Sequence, residues 1–423
     1  MASETFSGMA ASSPMTAPVR TSAVRRAQAQ AQAGDVLPSD HPLTSGVTAE
    51  SPLLVEYRGG RDAAGDPARP GRRPVWFMRQ AGRSLPEYRA LREGTSMLDA
   101  CLDPEMAAEI TLQPVRRHDV DAAIFFSDIV IPLRLAGIDV EIVPNVGPVL
   151  AHPVRTRADV EALPQLDDDA FAPITEAVAR TVEQLGSTPL IGFAGAPFTL
   201  AAYMVEGRPS RDHLGPRTMM HADPETWDAL ASWAADVSGR FMRAQLMAGA
   251  SAAQLFDSWA GSLGRDDYAA HVQKHSAAAF SHVAGLGAPL IHFGTGTGEI
   301  LDLMLQAGAK ALAQGVPGDD EGVSGGSPSP VVGIDYRVNL AEATRRLGEQ
   351  TPLQGNIDPA LLTADWDVLE AHVRDVVAAG AGAAGHVLNL GHGVPPSTDP
   401  EVLTRVVSLI HSISPAEIEP TRA

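Results

Sequence analysis

Short apolar runs recur along this chain, and each one ends in polar or glycine-rich residues. The first is Pro74-Val75-Trp76-Phe77-Met78, which leads into Arg79-Gln80-Ala81-Gly82-Arg83. Ala122 to Phe126 ends in Ser127-Asp128, Pro189 to Phe193 in Ala194-Gly195, and Ala252 to Phe256 in Asp257-Ser258. Pro289 to Phe293 ends in Gly294-Thr295-Gly296, Val331 to Ile334 in Asp335-Tyr336, Pro352 to Gly355 in Asn356-Ile357-Asp358, and His386 to Leu390 in Gly391-His392-Gly393. Runs this short, bounded by turn residues, read as buried strands. Most are separated by helical patterns such as Asp223 to Ala248, Asp266 to Ala284 and Pro359 to Ala379. Alternating strands and helices predict a parallel sheet. Eight such units over most of the chain predict a single closed (β/α)8 TIM barrel rather than an open doubly wound sheet. In a barrel the chemistry sits where strands end, so these polar ends share one rim.

The connections carry their own signals. Asp103-Pro104-Glu105 is a capped helix start, with a helix towards His118 and a kink expected near Pro114. Ile138 to Leu150 alternates and then turns, which predicts a small hairpin over the rim. Gln314 to Pro330 is Gly-, Ser-, Pro- and Asp-rich without periodicity, an exposed insertion between the fifth and sixth strands. The first 48 residues, rich in Ala, Ser, Gln and Arg at their start, are expected to be a disordered tail, with the barrel over 49–415. The tail has no clear amphipathic face, which favours a bacterial-type cytoplasmic chain over an organelle transit peptide.

Charge narrows the partners. The chain has 423 residues and a net charge of −19, from 32 basic and 51 acidic residues. That argues against nucleic acid or an anionic membrane as a partner, and no apolar run is long enough for a bilayer. An acidic protein that binds an anion must concentrate its arginines. The stretch Arg79 to Arg83 does so: a guanidinium stands at each end of a small-residue turn. Each can grip a carboxylate through two parallel N–H bonds. The single cysteine, Cys101, excludes an internal disulfide framework and a thiolate metal cluster within one chain.

The stretch Pro74 to Tyr88, P-V-W-F-M-R-Q-A-G-R-S-L-P-E-Y, closely resembles the signature of the uroporphyrinogen decarboxylase family. Gly192 to Gly207 resembles a second family signature, and shorter pieces at Phe125–Asp128, Leu255–Gly261, Gln354–Pro359 and Asn389–Val394 follow in family order. The resemblance spans roughly residues 50 to 413. It implies removal of the four acetate carboxyls of uroporphyrinogen III, giving coproporphyrinogen III, with no cofactor and no metal. It also implies a cytoplasmic homodimer in haem biosynthesis.

Residue by residue, the resemblance assigns Asp128 to the pyrrole N–H groups, where a carboxylate stabilises a developing cation. Arg79 and Arg83 become carboxylate holders, with Gln80, Ala81 and Gly82 adding backbone contacts. Arg79 is also a candidate for assisting proton delivery. His392 binds a carboxylate or donates a proton. Tyr203 and Ser258 hydrogen-bond substrate carboxylates, and Arg92 and Phe256 are further candidates. By pattern alone Asp128 and Ser258 are helix caps, Tyr203 a half-buried aromatic, His392 a loop histidine and Phe256 a core residue. His292 and His118 read as packed or surface histidines, and Thr295 to Gly298 as a tight loop rather than a phosphate loop. Two other readings compete with it. A zinc methyltransferase on the same barrel needs cysteine ligands that one cysteine does not supply. A non-catalytic tetrapyrrole-binding protein has no need of Asp128 and His392 together. Ser84, Tyr336 and the insertion depart from the usual family pattern and touch none of the assigned residues.

Overall fold

The computed structural model describes residues 36–68, 70–315 and 329–414. Seven parallel strands form one sheet in the order β1 (Ala123–Ile124), β4 (Leu190–Gly195), β5 (Ala252–Asp257), β6 (Leu290–Gly294), β7 (Val331–Gly333), β8 (Leu353–Gln354) and β9 (His386–Val387). The run at Pro74 to Met78 is the eighth stave and closes the barrel. Val75 pairs in parallel with Leu388. The Leu388 N–H donates to the Pro74 carbonyl at 2.9 Å and the Trp76 N–H to the Leu388 carbonyl at 3.2 Å. On its other side the Asp121 N–H, just before β1, donates to the Val75 carbonyl at 2.8 Å. All eight apolar runs are therefore staves of one barrel.

Helices join the staves. After α1 (Pro52–Tyr57) and the first stave come α2 (Pro86–Leu91), α3 (Met97–Leu102) and α4 (Pro104–His118). Helix α5 (Ala172–Leu185) precedes β4, and α6 (Pro197–Glu206), α7 (Leu214–Ala222) and α8 (Pro224–Met247) follow it. Then come α9 (Arg265–His271) and α10 (Gln273–Ser281) before β6, and α11 (Leu301–Gly315) before β7. Helix α4 starts where the sequence indicates: the Asp103 carboxylate accepts from the Glu105 and Met106 N–H groups, both at 3.0 Å, and Pro104 supplies the first turn. The helix runs through Pro114 to His118.

The interior follows the two-residue strand period. On β5 the odd members Ala253, Leu255 and Asp257 share one face, and Ala252, Gln254 and Phe256 the other. Gln254 is fully buried and belongs to a polar chain. The Trp76 indole donates to the Tyr57 hydroxyl (3.0 Å), which donates to Gln354 Oε1 (2.5 Å), while Gln354 Nε2 donates to Gln254 Oε1 (3.0 Å). Such buried polar groups stay inside only when paired. The chain ties α1 and the first stave to β8 and β5.

The expected hairpin is present: β2 (Val140–Val143) and β3 (Gly147–Leu150) pair antiparallel, with Val140 opposite Leu150. It is fastened beside the end of α6, where the Leu150 N–H donates to the Gly207 carbonyl at 2.8 Å. The expected tail to residue 48 differs in part. Residues 1–35 lie outside the described residues, but 36–48 are tied down. His41 is buried and its Nε2 is 2.9 Å from the Leu246 carbonyl, and the Thr48 and Ser251 hydroxyls meet at 2.9 Å. Most of the expected insertion, 316–328, lies outside the described residues. Its edges do not: α11 continues to Gly315, and Pro330 is buried.

Candidate active site

The first loop places its arginines through an unusual backbone. Arg79 has φ +58°, a left-handed conformation that a side chain adopts at a cost. Neighbouring bonds hold it. The Gln80 N–H donates back to the Phe77 carbonyl at 3.0 Å, closing the turn. The Met78 N–H donates to Asn389 Oδ1 at 3.0 Å, and the Val394 N–H to the Met78 carbonyl at 2.8 Å. These bonds join the first strand end to the last. The Arg79 side chain then lies across Gly393, where an added Cβ would stand 2.5 Å from Arg79 Cδ. Glycine is needed there for closeness. Arg79 and Arg83 are exposed, and neither has a carboxylate partner among the described residues.

Gln80 is a different matter. It is fully buried, its Oε1 accepts from the Phe77 N–H at 2.9 Å, and its Nε2 donates to the Ala122 carbonyl at 3.1 Å. Its side chain braces the loop, so only its backbone remains for a ligand. Ala81 and Gly82 are half-buried, and an added Cβ on Gly82 would press on the Arg79 carbonyl at 3.0 Å. Arg92 is also committed: its guanidinium donates to the Tyr88 hydroxyl at 2.6 Å and the Thr95 carbonyl at 3.0 Å.

Asp128 follows β1. One oxygen, Oδ1, accepts from the Val130 N–H at 3.0 Å, so the capping reading holds. The other has no hydrogen-bond partner among the described residues. The residue keeps some solvent contact, yet protein packs closely around it. Burial raises its pKa above the usual aspartate value, opposed by the Val130 N–H and the charge of Arg79. Asp128 and Arg79 are thus near enough to act on one another. Both also act on the Tyr203 hydroxyl, whose pKa is raised by burial first and by Asp128 second. Cys101, fully buried in α3, lies behind the same carboxylate: burial and then Asp128 push its thiol pKa far up.

His392 is exposed between its two glycines. Partial desolvation and the charge of Arg79 hold its pKa below the ordinary histidine value, with Asp335 opposing. Phe256 is half-buried on β5, edge-on to Phe193 at 5.3 Å and to Phe293 at 6.0 Å, an aromatic floor at the strand ends. Ser258 is half-buried and caps no helix; its hydroxyl has no partner among the described residues. His118 and His292 are packed, as expected, each about 1% exposed.

Two features escape the sequence reading. Tyr203 is stacked on Trp259 with centroids 3.8 Å apart and planes at 29°, and the His213 ring also packs on Trp259, tilted by 33° with centroids 4.3 Å apart. Trp259 directly follows Ser258, so its place in that motif was the available signal. Arg337 is the second. Its guanidinium lies 4.3 Å above the Tyr336 ring, its NH1 donates to Asp335 Oδ2 at 2.6 Å, and its charge reaches His392. The same Asp335 oxygen accepts the Gly296 N–H at 2.5 Å, which anchors the Thr295–Gly298 stretch as a tight loop.

The chain is similar to known proteins along most of its length. A family model described as uroporphyrinogen decarboxylase (URO-D) matches residues 63–413. The chain is 69% identical over 370 residues to a uroporphyrinogen decarboxylase of Arthrobacter sp. (strain FB24), covering 88% of this chain and 99% of that one. It is 56% identical over 392 residues to that of Leifsonia xyli subsp. xyli (strain CTCB07), covering 88% and 97%. A solved methyltransferase from Methanosarcina mazei shares the fold, with a TM-score of 0.67 and 17% identity over 86% of this chain and 98% of that one.

Proposed function

The chain belongs to the uroporphyrinogen decarboxylase family, and on that premise we propose how its strand-end residues carry the reaction. It is a carboxy-lyase of porphyrin and haem biosynthesis. In our reading the substrate is uroporphyrinogen III, whose four acetates become methyls. A pyrrole carbon takes a proton, which leaves positive charge on the ring nitrogen. The bond from the acetate methylene to its carboxyl then breaks, CO2 departs, and the electron pair neutralises the ring. A second proton on the methylene completes the methyl group, and the ring carbon gives up the first, so one proton is consumed for each CO2 released. The substrate is its own electron sink, so the reading calls for no cofactor.

One observation carries this reading: Asp128 holds a carboxylate oxygen without a partner among the described residues, with the guanidinium of Arg79 near enough to act on it. The free oxygen accepts from the pyrrole N–H groups and stabilises the cation, more strongly in an enclosed site than in water. Arg79 and Arg83 hold acetate and propionate carboxylates. Desolvation and then the charge of Arg79 lower the pKa of His392 in the free chain, and an arriving carboxylate opposes both and favours its proton. Tyr203, fixed by Trp259, and the free hydroxyl of Ser258 donate to further carboxylates. Arg79 is a weak candidate for proton delivery because a guanidinium rarely gives up its proton. Among the described residues no helix is long and apolar enough to cross a membrane, in keeping with a cytoplasmic location. A homodimer with facing clefts completes the reading, and sedimentation of the purified chain at a single-subunit mass would remove it.

The test is anaerobic incubation of the purified protein with uroporphyrinogen III, followed by oxidation and chromatographic counting of carboxyls. Stepwise loss from eight to four is expected. Tight binding without loss would favour a tetrapyrrole-binding protein instead.

A further inference from the structure

We propose that His221, Asp267 and His271 form a binding site for one divalent transition-metal ion of the zinc class. The site belongs to the helical layer, and no residue of the strand-end cleft contributes to it. One ligand atom from each of the three residues lies within 4.8 Å of the other two. The closest pair, His221 Nε2 and Asp267 Oδ1, is 3.1 Å apart. Two ligands bound to a tetrahedral Zn2+ at their usual lengths stand roughly 3.3 Å apart. Two imidazoles and one carboxylate, with a position left for water, is a donor set that zinc accepts.

The two helices bring these ligands together before any ion arrives. Asp267 and His271 are four residues apart on α9 and share one face. His221 comes from the last turn of α7, and its ring meets that of His271 edge-on at 5.5 Å. Each helix is fixed from behind. Tyr268 on α9 is fully buried, and the Trp227 indole donates to the His271 carbonyl at 2.9 Å. Met219 and Met220 bury the inner side of α7. Ligands on braced helices are held closer to binding geometry than ligands on loops. Charge favours a cation too. Glu225 and Asp228 line a surface cavity of about 260 Å³ beside His271, and the one cation there, Lys274, is paired with Asp228. An ordinary surface ion pair accounts for His221 and Asp267 but leaves His271 unexplained.

An ion here ties α7 to α9. The residue immediately before α7 is His213, which packs on Trp259, so the tie braces the aromatic wall that holds Tyr203. The test uses the full chain, stripped with EDTA and dialysed, and titrated with Zn2+ by calorimetry and with Co2+ by visible absorption. Wild type should bind one equivalent of Zn2+, give tetrahedral Co2+ bands, and melt at a higher temperature with Zn2+ than without. His221→Ala and His271→Ala should each weaken binding at least ~10-fold, by analogy with the loss on disturbing a metal's ligand surroundings, and lose the melting shift. Both residues are on the surface layer, so uroporphyrinogen turnover without metal should match wild type and report an intact fold. No Zn2+ binding by wild type, or equal binding by both variants, would overturn the site.

Discussion

Asp128→Asn isolates the charge of the central carboxylate from its structural duty. The amide oxygen can still accept the Val130 N–H bond that Oδ1 now takes at 3.0 Å. What disappears is the negative charge. A carboxylate about 4 Å from a developing cation contributes ~4 kcal/mol at an effective dielectric near 20, and only ~1 kcal/mol in bulk water. Asp128 is enclosed enough for burial to raise its pKa, so the larger figure applies. Turnover should then fall by about 10³, since each ~1.4 kcal/mol is tenfold. The assay is anaerobic single turnover of uroporphyrinogen III with carboxyl counting, alongside thermal melting. The melt has its own sign. A carboxyl whose pKa is raised on folding holds more protons in the folded state than in the unfolded one at pH above its ordinary value. Stability is therefore lost as pH rises through that window. The uncharged asparagine escapes this loss, so the variant should melt at or above the wild-type temperature at neutral pH. A fall in turnover of only about fivefold, the bulk-water figure, would refute the electrostatic role. So would a lower melting temperature of the ligand-free variant, because the loss would then be structural.

Other expectations follow from the same geometry. Arg83→Ala removes an unpaired guanidinium; one charge-assisted carboxylate contact is worth ~1.5–3 kcal/mol, so KM should rise about 10- to 100-fold with kcat nearly kept, and an unchanged KM would remove its role. Because desolvation and then Arg79 lower the pKa of His392 in the free chain, substrate binding should take up a proton. Affinity should fall as pH rises from that lowered value to the higher one in the complex, and His392→Gln should flatten this slope in a KM-against-pH profile. Trp259→Ala removes the ring stacked on Tyr203, worth ~0.5–1.5 kcal/mol beyond its burial; KM should rise and the melting temperature fall, Trp259→Phe should restore much of both, and no change in KM would mean Tyr203 does not depend on the stack.

Much of this architecture is legible in the sequence because the strands are buried on both faces. Burial turns each one into a short apolar burst, as at Leu290–Gly294, and the next polar residue marks the rim. Period also gave away the hairpin, through the alternation from Val140 to Leu150. Arginine pairs and a lone aspartate at strand ends are likewise visible one residue at a time. What escapes is anything made by two distant segments. Gln80 lies in the middle of the basic turn, and nothing local says that its amide bonds inward to Phe77 and Ala122. His41 reads as part of a polar tail until Leu246 is brought beside it. The stack of Tyr203, Trp259 and His213 joins α6 to the loops after β5 and before α7, and the His221, Asp267 and His271 cluster joins two helices in the same way. Such contacts depend on tertiary packing, which periodicity does not encode.

The central claim is that the free oxygen of Asp128 meets the pyrrole nitrogens while the arginines hold carboxylates. An anaerobic crystal structure of the chain with the reduced product, coproporphyrinogen III, tests it most directly. The account predicts pyrrole N–H groups within about 3 Å of that oxygen, a hydrogen-bond distance, with propionates on Arg79 and Arg83. A macrocycle bound elsewhere, or seated with Asp128 facing only water, would contradict it.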